Sequence, residues 1–241
     1  MTRRPLMQRL ARWHIWLGWV VAIPLLLWTV SGLVMVARPI EEVRGTDRRV
    51  EVPEQALAPE VSRALPALAA ARPVLTYTVA MRAGMPVARV HYRDGSQALF
   101  DLASGESLSP LGADGARAVV RRGIKSGSPI TTVRAFPAER VPFDFRRPMP
   151  VWQVTLADGT HIYVGRDTGE IEAVRTRYWR LFDFMWGLHI MDPQTREDTH
   201  HPLLVISSVL ALIGVLFGTI LLFRRRRARR SSREPVDSPA V

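Results

Sequence analysis

The chain has 241 residues, 47% of them hydrophobic, with 33 Lys and Arg against 22 Asp and Glu and no cysteine. The missing thiols exclude a disulfide scaffold, a zinc-thiolate site, an iron–sulfur cluster and covalent c-type haem attachment. The net charge of +11 sits at the ends, since residues 1–14 carry four Arg and residues 224–241 carry seven Arg against two acids; the middle is left near neutral, and nucleic acid is not an expected partner.

In chain order, the basic segment 1–14 is followed by residues 15–37, a run of 23 without an ionisable side chain. At about 1.5 Å per residue it reaches roughly 34 Å, enough to cross a hydrocarbon layer of about 30 Å. Pro24 lies inside it, so a kink is expected there. The run is too long for the apolar core of a signal peptide, and Met35-Val36-Ala37 is a poor cleavage site. Residues 202–223 form a second charge-free run. Arginines flank the outer ends of both, so both termini are expected in the cytoplasm of a bacterial inner membrane, with the central portion in the periplasm.

That central portion, residues 38–176, reads as a tandem module with units at about 54–110 and 111–175. Residues 89–108 align without a gap to residues 153–172, placing Val90 on Val154, Asp94-Gly95 on Asp158-Gly159 and Gly105-Glu106 on Gly169-Glu170. Each copy has strand, Asp-Gly turn and strand, the signature of a two-residue hairpin. Helices are expected over Pro59–Ala71 and Ala113–Gly123 ahead of the hairpins. Residues 38–53 and 126–150 read as linkers. The fold class is therefore an α+β ectodomain of two helix-plus-antiparallel-sheet units, anchored by two transmembrane α-helices. Residues 177–201 form an amphipathic interfacial helix and loop, and residues 224–241 a basic cytoplasmic tail that ends in a disordered stretch from Ser231.

The hairpins with their turns at Asp101–Glu106 and Asp167–Glu170 resemble the PepSY domain. The segment RLARWHIWLGWVVAIPLLLWTVSGLVM resembles the opening helix of the PepSY-associated transmembrane family, and WRLFDFMWGLHIMDPQTREDTHHPLL, followed by a span and an Arg cluster, resembles its closing segment. The family includes reductase-like proteins of ferric siderophores, which carry haem on histidines at helix ends. By this resemblance His14 and His189 match recurring family histidines, and His201-Pro202 matches a His/Asn-Pro-Leu-Leu pattern in part of the family. His200 has no counterpart. Those members typically have four spans, whereas this chain has two.

Read from the residues alone, Tyr178–Ile190 is apolar almost all round, with His189 near its end and Met185 on the same face, and His200 and His201 arrive just before the second span. Two imidazoles from different helices in apolar surroundings suit a b-type haem. His14 lies at the other end of the first span among Trp13, Trp16 and Trp19, as an aromatic-belt residue or a ligand. Pairing it with another imidazole needs a second chain. Gly214 and Gly218, extended by Ser207 and Ala211, form a small-residue stripe suited to helix–helix packing and a homodimer. His91 and His161 read as surface strand residues.

The expected function is haem b-dependent electron transfer linked to periplasmic ferric-siderophore or iron reduction, with haem iron on His189 and His201. No phosphate loop, nucleophile elbow or metalloprotease motif is present. With no nicotinamide or flavin motif either, electrons are expected from quinol or a reductase. The alternative is a membrane-anchored periplasmic module that restrains a peptidase or binds another partner without a cofactor.

Overall fold

The computed structural model describes residues 3–51, 53, 55–57, 72–125 and 127–231. The helix expected over Pro59–Ala71 lies outside the described residues, as does the tail beyond Ser231. The chain divides into two compact units, Met1–Arg38 with Phe182–Val241, and Pro39–Leu181.

The first unit is helical. Helix α1 spans Arg3–Val36, starting well before the charge-free run because the arginines, leucines and alanine of its first turns are good helix formers. It continues through Pro24 and stops ahead of Pro39, which disfavours helix in the residue before it. Its apolar portion, Leu6–Val36, and that of the last helix, Pro202–Arg224, are each long and apolar enough to cross a bilayer. Their surfaces are apolar outward as well as inward: Trp19 is 78% exposed and Ile23 69%. In water such a surface would be costly, and in lipid it is matched.

The second unit is α+β. After the short helix α2 (Ile40–Arg44), strands β1 (Val74–Arg82), β2 (Met85–Tyr92) and β3 (Gln97–Asp101) form a three-stranded antiparallel sheet. Helix α3 (Ala113–Gly123) is followed by β4 (Ile130–Phe136), β5 (Val151–Leu156), β6 (His161–Gly165) and β7 (Ile171–Arg175), a four-stranded antiparallel sheet in sequential order. Ala116 and Val120 lie four residues apart on one face of α3, and Ile124 follows at its C-terminal end. They pack on Val154, Leu156, Ile162, Val164 and Val174, all buried. Each buried Val, Leu or Ile side chain here stabilises the unit by about 1.5–3 kcal/mol.

The repeat is visible in the register. His91 faces Gln97 across β2 and β3, and 64 residues on Thr155 faces His161 across β5 and β6. Both hairpin loops differ from the two-residue turn that Asp-Gly predicts. Gly95 and Gly159 have φ of 83° and 79°, but neither Asp94 nor Asp158 has a positive φ, as a type I′ turn would require of both central residues. Each loop instead has three residues and ends on a left-handed glycine. The aspartates cap the turns from the side: Asp94 Oδ1 accepts from the Ser96 N–H at 2.9 Å, and Asp158 Oδ1 from the Thr160 N–H at 2.8 Å.

Both expected linkers are built into this unit. Residues 126–150 contain β4, whose Ile-Thr-Thr-Val run is flanked rather than interrupted by the prolines that signal a linker. The stretch that follows covers the sheet face opposite α3, burying Phe145 against Val151, Tyr163 and Ala173. In residues 38–53, Val43 is 1% exposed, Gly45 sits tightly on Val174, and Arg48 pairs with Asp158 at 3.0 Å. A linker would show none of these contacts.

Candidate functional site

The helical unit contains α1, the end of helix α4 (Arg177–His189) and the last helix, α5 (Pro202–Ser231). Helices α1 and α5 pack in opposite directions: near one end the Arg224 guanidinium lies 3.4 Å from Met7 Sδ, and further along His14 meets Gly214 and Gly218.

His189 is seated on three residues of one face of α1, Trp28, Ser31 and Gly32. The Trp28 indole N–H donates to the His189 carbonyl at 2.6 Å, satisfying one of the orphan acceptors at the end of α4. Ser31, 1% exposed, donates its hydroxyl to the Leu27 carbonyl at 2.6 Å and lies 3.0 Å from His189 Nδ1. When the serine proton is on Leu27, His189 Nδ1 can only donate to Ser31 Oγ, and in that tautomer the lone pair is on Nε2. A methyl on Gly32 would lie 3.5 Å from Cε1 and 3.9 Å from Nδ1, so the ring edge carrying these two atoms faces Gly32.

His14 is also held through Nδ1, which donates to the Gly214 carbonyl at 3.0 Å. A carbonyl can only accept, so here too the free lone pair is on Nε2. The ring lies in the space that a side chain at Gly218 would take: a methyl there would be 2.9 Å from Cε1 and 3.4 Å from Nε2. Gly218 thus receives the imidazole of the chain's own first helix, while a methyl on Gly214 would meet nothing within 4 Å. Seventeen residues of α1 separate His14 from Ser31, roughly 25 Å of helix, so His14 and His189 cannot share one iron.

His201 and His200 have different roles. His201 stands just ahead of α5, where its Nδ1 accepts from the Leu203 N–H at 3.4 Å and its carbonyl from the Leu204 N–H at 2.9 Å. It acts as an N-cap, with Pro202 at the favoured first helical position. His200 is exposed, 3.3 Å from the Thr199 hydroxyl.

The loop between α4 and α5 is heavily bonded. Asp192 accepts from the Thr195 hydroxyl and from the backbone N–H groups of Thr195, Glu197 and Asp198, which hold its carboxyl far below the usual range. Arg196 donates to buried Asp183 at 2.6 Å, and the Trp186 indole donates to the Arg196 carbonyl at 3.1 Å.

The second unit contains a polar cluster that sequence reasoning missed. Asp144 lies in the expected linker, and its carboxylate accepts from Tyr163 and pairs with His161 Nδ1 at 2.9 Å. Its carbonyl takes the Arg175 Nε–H at 2.7 Å, and Gln153 donates to the Tyr163 hydroxyl at 2.6 Å. Burial pushes the Asp144 carboxyl up, but the bonds from His161 and Tyr163 outweigh it and leave it below the usual range; burial and Asp144 push the Tyr163 phenol up. The sequence signal was weak: His161 and Tyr163 alternate on one face of β6, which implies a polar partner above them. No group of three or more His, Asp or Glu side chains suited to a metal ion occurs among the described residues.

Two helices suited to lipid, before and after an α+β unit of two antiparallel sheets in the sequence, with a histidine held at each of two levels of the first helix, define a protein with two candidate membrane spans. The sequence model of the PepSY-associated TM region matches residues 11–237, and the chain belongs to that family. No curated protein and no solved structure matches the chain.

Proposed function

We propose that this protein is a haem-binding electron carrier of the bacterial inner membrane, with both termini cytoplasmic and the α+β unit periplasmic, passing electrons from quinol or a reductase to ferric iron or a ferric siderophore. The observation that carries the reading is the seat of His189. Its Nδ1 lies 3.0 Å from the Ser31 hydroxyl; with Nδ1 donating to that oxygen, the Nε2 lone pair would be left for a metal, in the way a second group fixes the tautomer of a ligating histidine.

Of His14, His189 and His201, His189 is the one imidazole that would hold the haem iron without breaking another contact. His201 spends its Nδ1 lone pair on the cap of α5, so it would have to release that cap to act as a second ligand through Nδ1. His14 is ligand-competent in tautomer, but its Nε2 lies close to Gly218. When bound, haem supplies one-electron transfer at a potential set by its ligands and surroundings. Ser31 and Trp28 orient His189, and the apolar faces of α1 and α4 exclude water around it. The orientation follows from the arginines at the Met7–Arg224 end, by the positive-inside rule.

The test is absorption spectroscopy of the full-length protein purified in detergent from cells supplied with haem. A Soret band that His189→Ala abolishes and His91→Ala leaves intact is expected. A colourless wild-type protein would overturn the reading.

A further inference from the structure

Arg9, Arg12, Trp13 and Trp16 lie three, four and seven residues apart on one face of α1, and they line a groove of about 450 Å³. Both arginines are exposed, and no ion pair to either is found among the described residues. Neither α1 nor α5 contains an acidic residue. The contact between Met7 and Arg224 brings the first arginine of the α5 cluster to the same end. Two guanidinium groups one turn apart repel each other unless an anion lies between them. The walls of the groove are apolar: Trp13 and Trp16 are each 59% exposed and meet edge to face, with ring centroids 6.2 Å apart. The same side of the helix continues into the span through Val20 and Ile23.

We propose that this groove is a binding site for one anionic phospholipid, whose phosphate bridges Arg9 and Arg12 and whose acyl chains run along Trp16 and the apolar face beyond it. A soluble anion would match the arginines but leave the tryptophans wet. A zwitterionic lipid would match the tryptophans but bring its own cation to the arginines. The anionic lipid alone satisfies both halves. The site is independent of whether His189 holds haem.

The test is native mass spectrometry of the full-length protein in detergent, titrated separately with phosphatidylglycerol and phosphatidylethanolamine, with inorganic phosphate as competitor. The wild type is expected to retain one phosphatidylglycerol in preference to phosphatidylethanolamine, undisplaced by millimolar phosphate. R9Q/R12Q is expected to weaken retention about 30-fold, equivalent to about 2 kcal/mol at 1.4 kcal/mol per tenfold. R9K/R12K should keep most of it. Equal retention of the two lipids by the wild type, or displacement by phosphate, would overturn the proposal without reliance on any variant. Unchanged retention in R9Q/R12Q would overturn it as well.

Discussion

Replacing Asp144 by Asn tests the account of the second unit most directly, because it keeps the side chain's shape and removes only charge and acceptor capacity. In the native cluster two donors, His161 Nδ1–H and Tyr163 O–H, converge on the two carboxylate oxygens, and the Tyr163 oxygen is already occupied by Gln153. An amide offers one acceptor and sets its NH₂ against the second donor, so one bond to a charged group is lost and a buried donor is stranded. Hydrogen bonds to charged groups contribute about 1.5–3 kcal/mol, so D144N should destabilise the sheet locally by about 2 kcal/mol. Hydrogen exchange measured on peptides covering 151–165 of the full-length protein should show about a 30-fold loss of protection. The pH dependence carries the sign. The folded carboxyl lies below its unfolded value near about 3.9, so its contribution is complete above that value and is lost as pH falls through the folded pKa. The wild type should therefore lose protection on the acid side of pH 4, and D144N should lose less. Wild-type protection in D144N, or an equal acid dependence in both proteins, would refute the reasoning.

Gly45→Ala places a methyl 2.7 Å from Val174 Cγ1 at a φ of 68°, so strain and overpacking together should cost about 2–4 kcal/mol, read as a lower unfolding midpoint of the second unit in urea. Arg196→Met leaves Asp183 without that partner in a buried position and should destabilise the α4–α5 loop by about 3 kcal/mol, seen as faster proteolysis between residues 191 and 201. Gly218→Leu fills the space of the His14 ring and breaks its bond to Gly214. The expected outcome is a changed His14 imidazole resonance, with His189 unaffected because it lies roughly 25 Å away along α1.

The sequence by itself determined whatever follows from composition over a long enough window. Two charge-free runs of more than twenty residues are long and apolar enough to cross a bilayer as helices, and an ungapped repeat with Asp-Gly at matching places predicts the same hairpin twice. It also picked out His14, His189 and His201 as imidazoles near the ends of apolar runs, although α1 begins at Arg3 and holds His14 in its interior, and Gly214 and Gly218 as a surface where another group approaches closely. What each of these does was decided by the tertiary structure. A small-residue stripe accepts any neighbour that fits, and at Gly218 the neighbour is His14 of the same chain, an assignment that depends on the packing of α1 against α5. A histidine becomes a cap or a ligand-competent base according to whether its Nδ1 accepts or donates. For His201 and His189 that choice rests on Leu203 and Ser31, one nearby in sequence and the other 158 residues away. Residues 126–150 look like a linker because their prolines are local signals, whereas the burial of Asp144 and Phe145 is a non-local one. Only the folded sheet offers His161 and Tyr163 for them to cover.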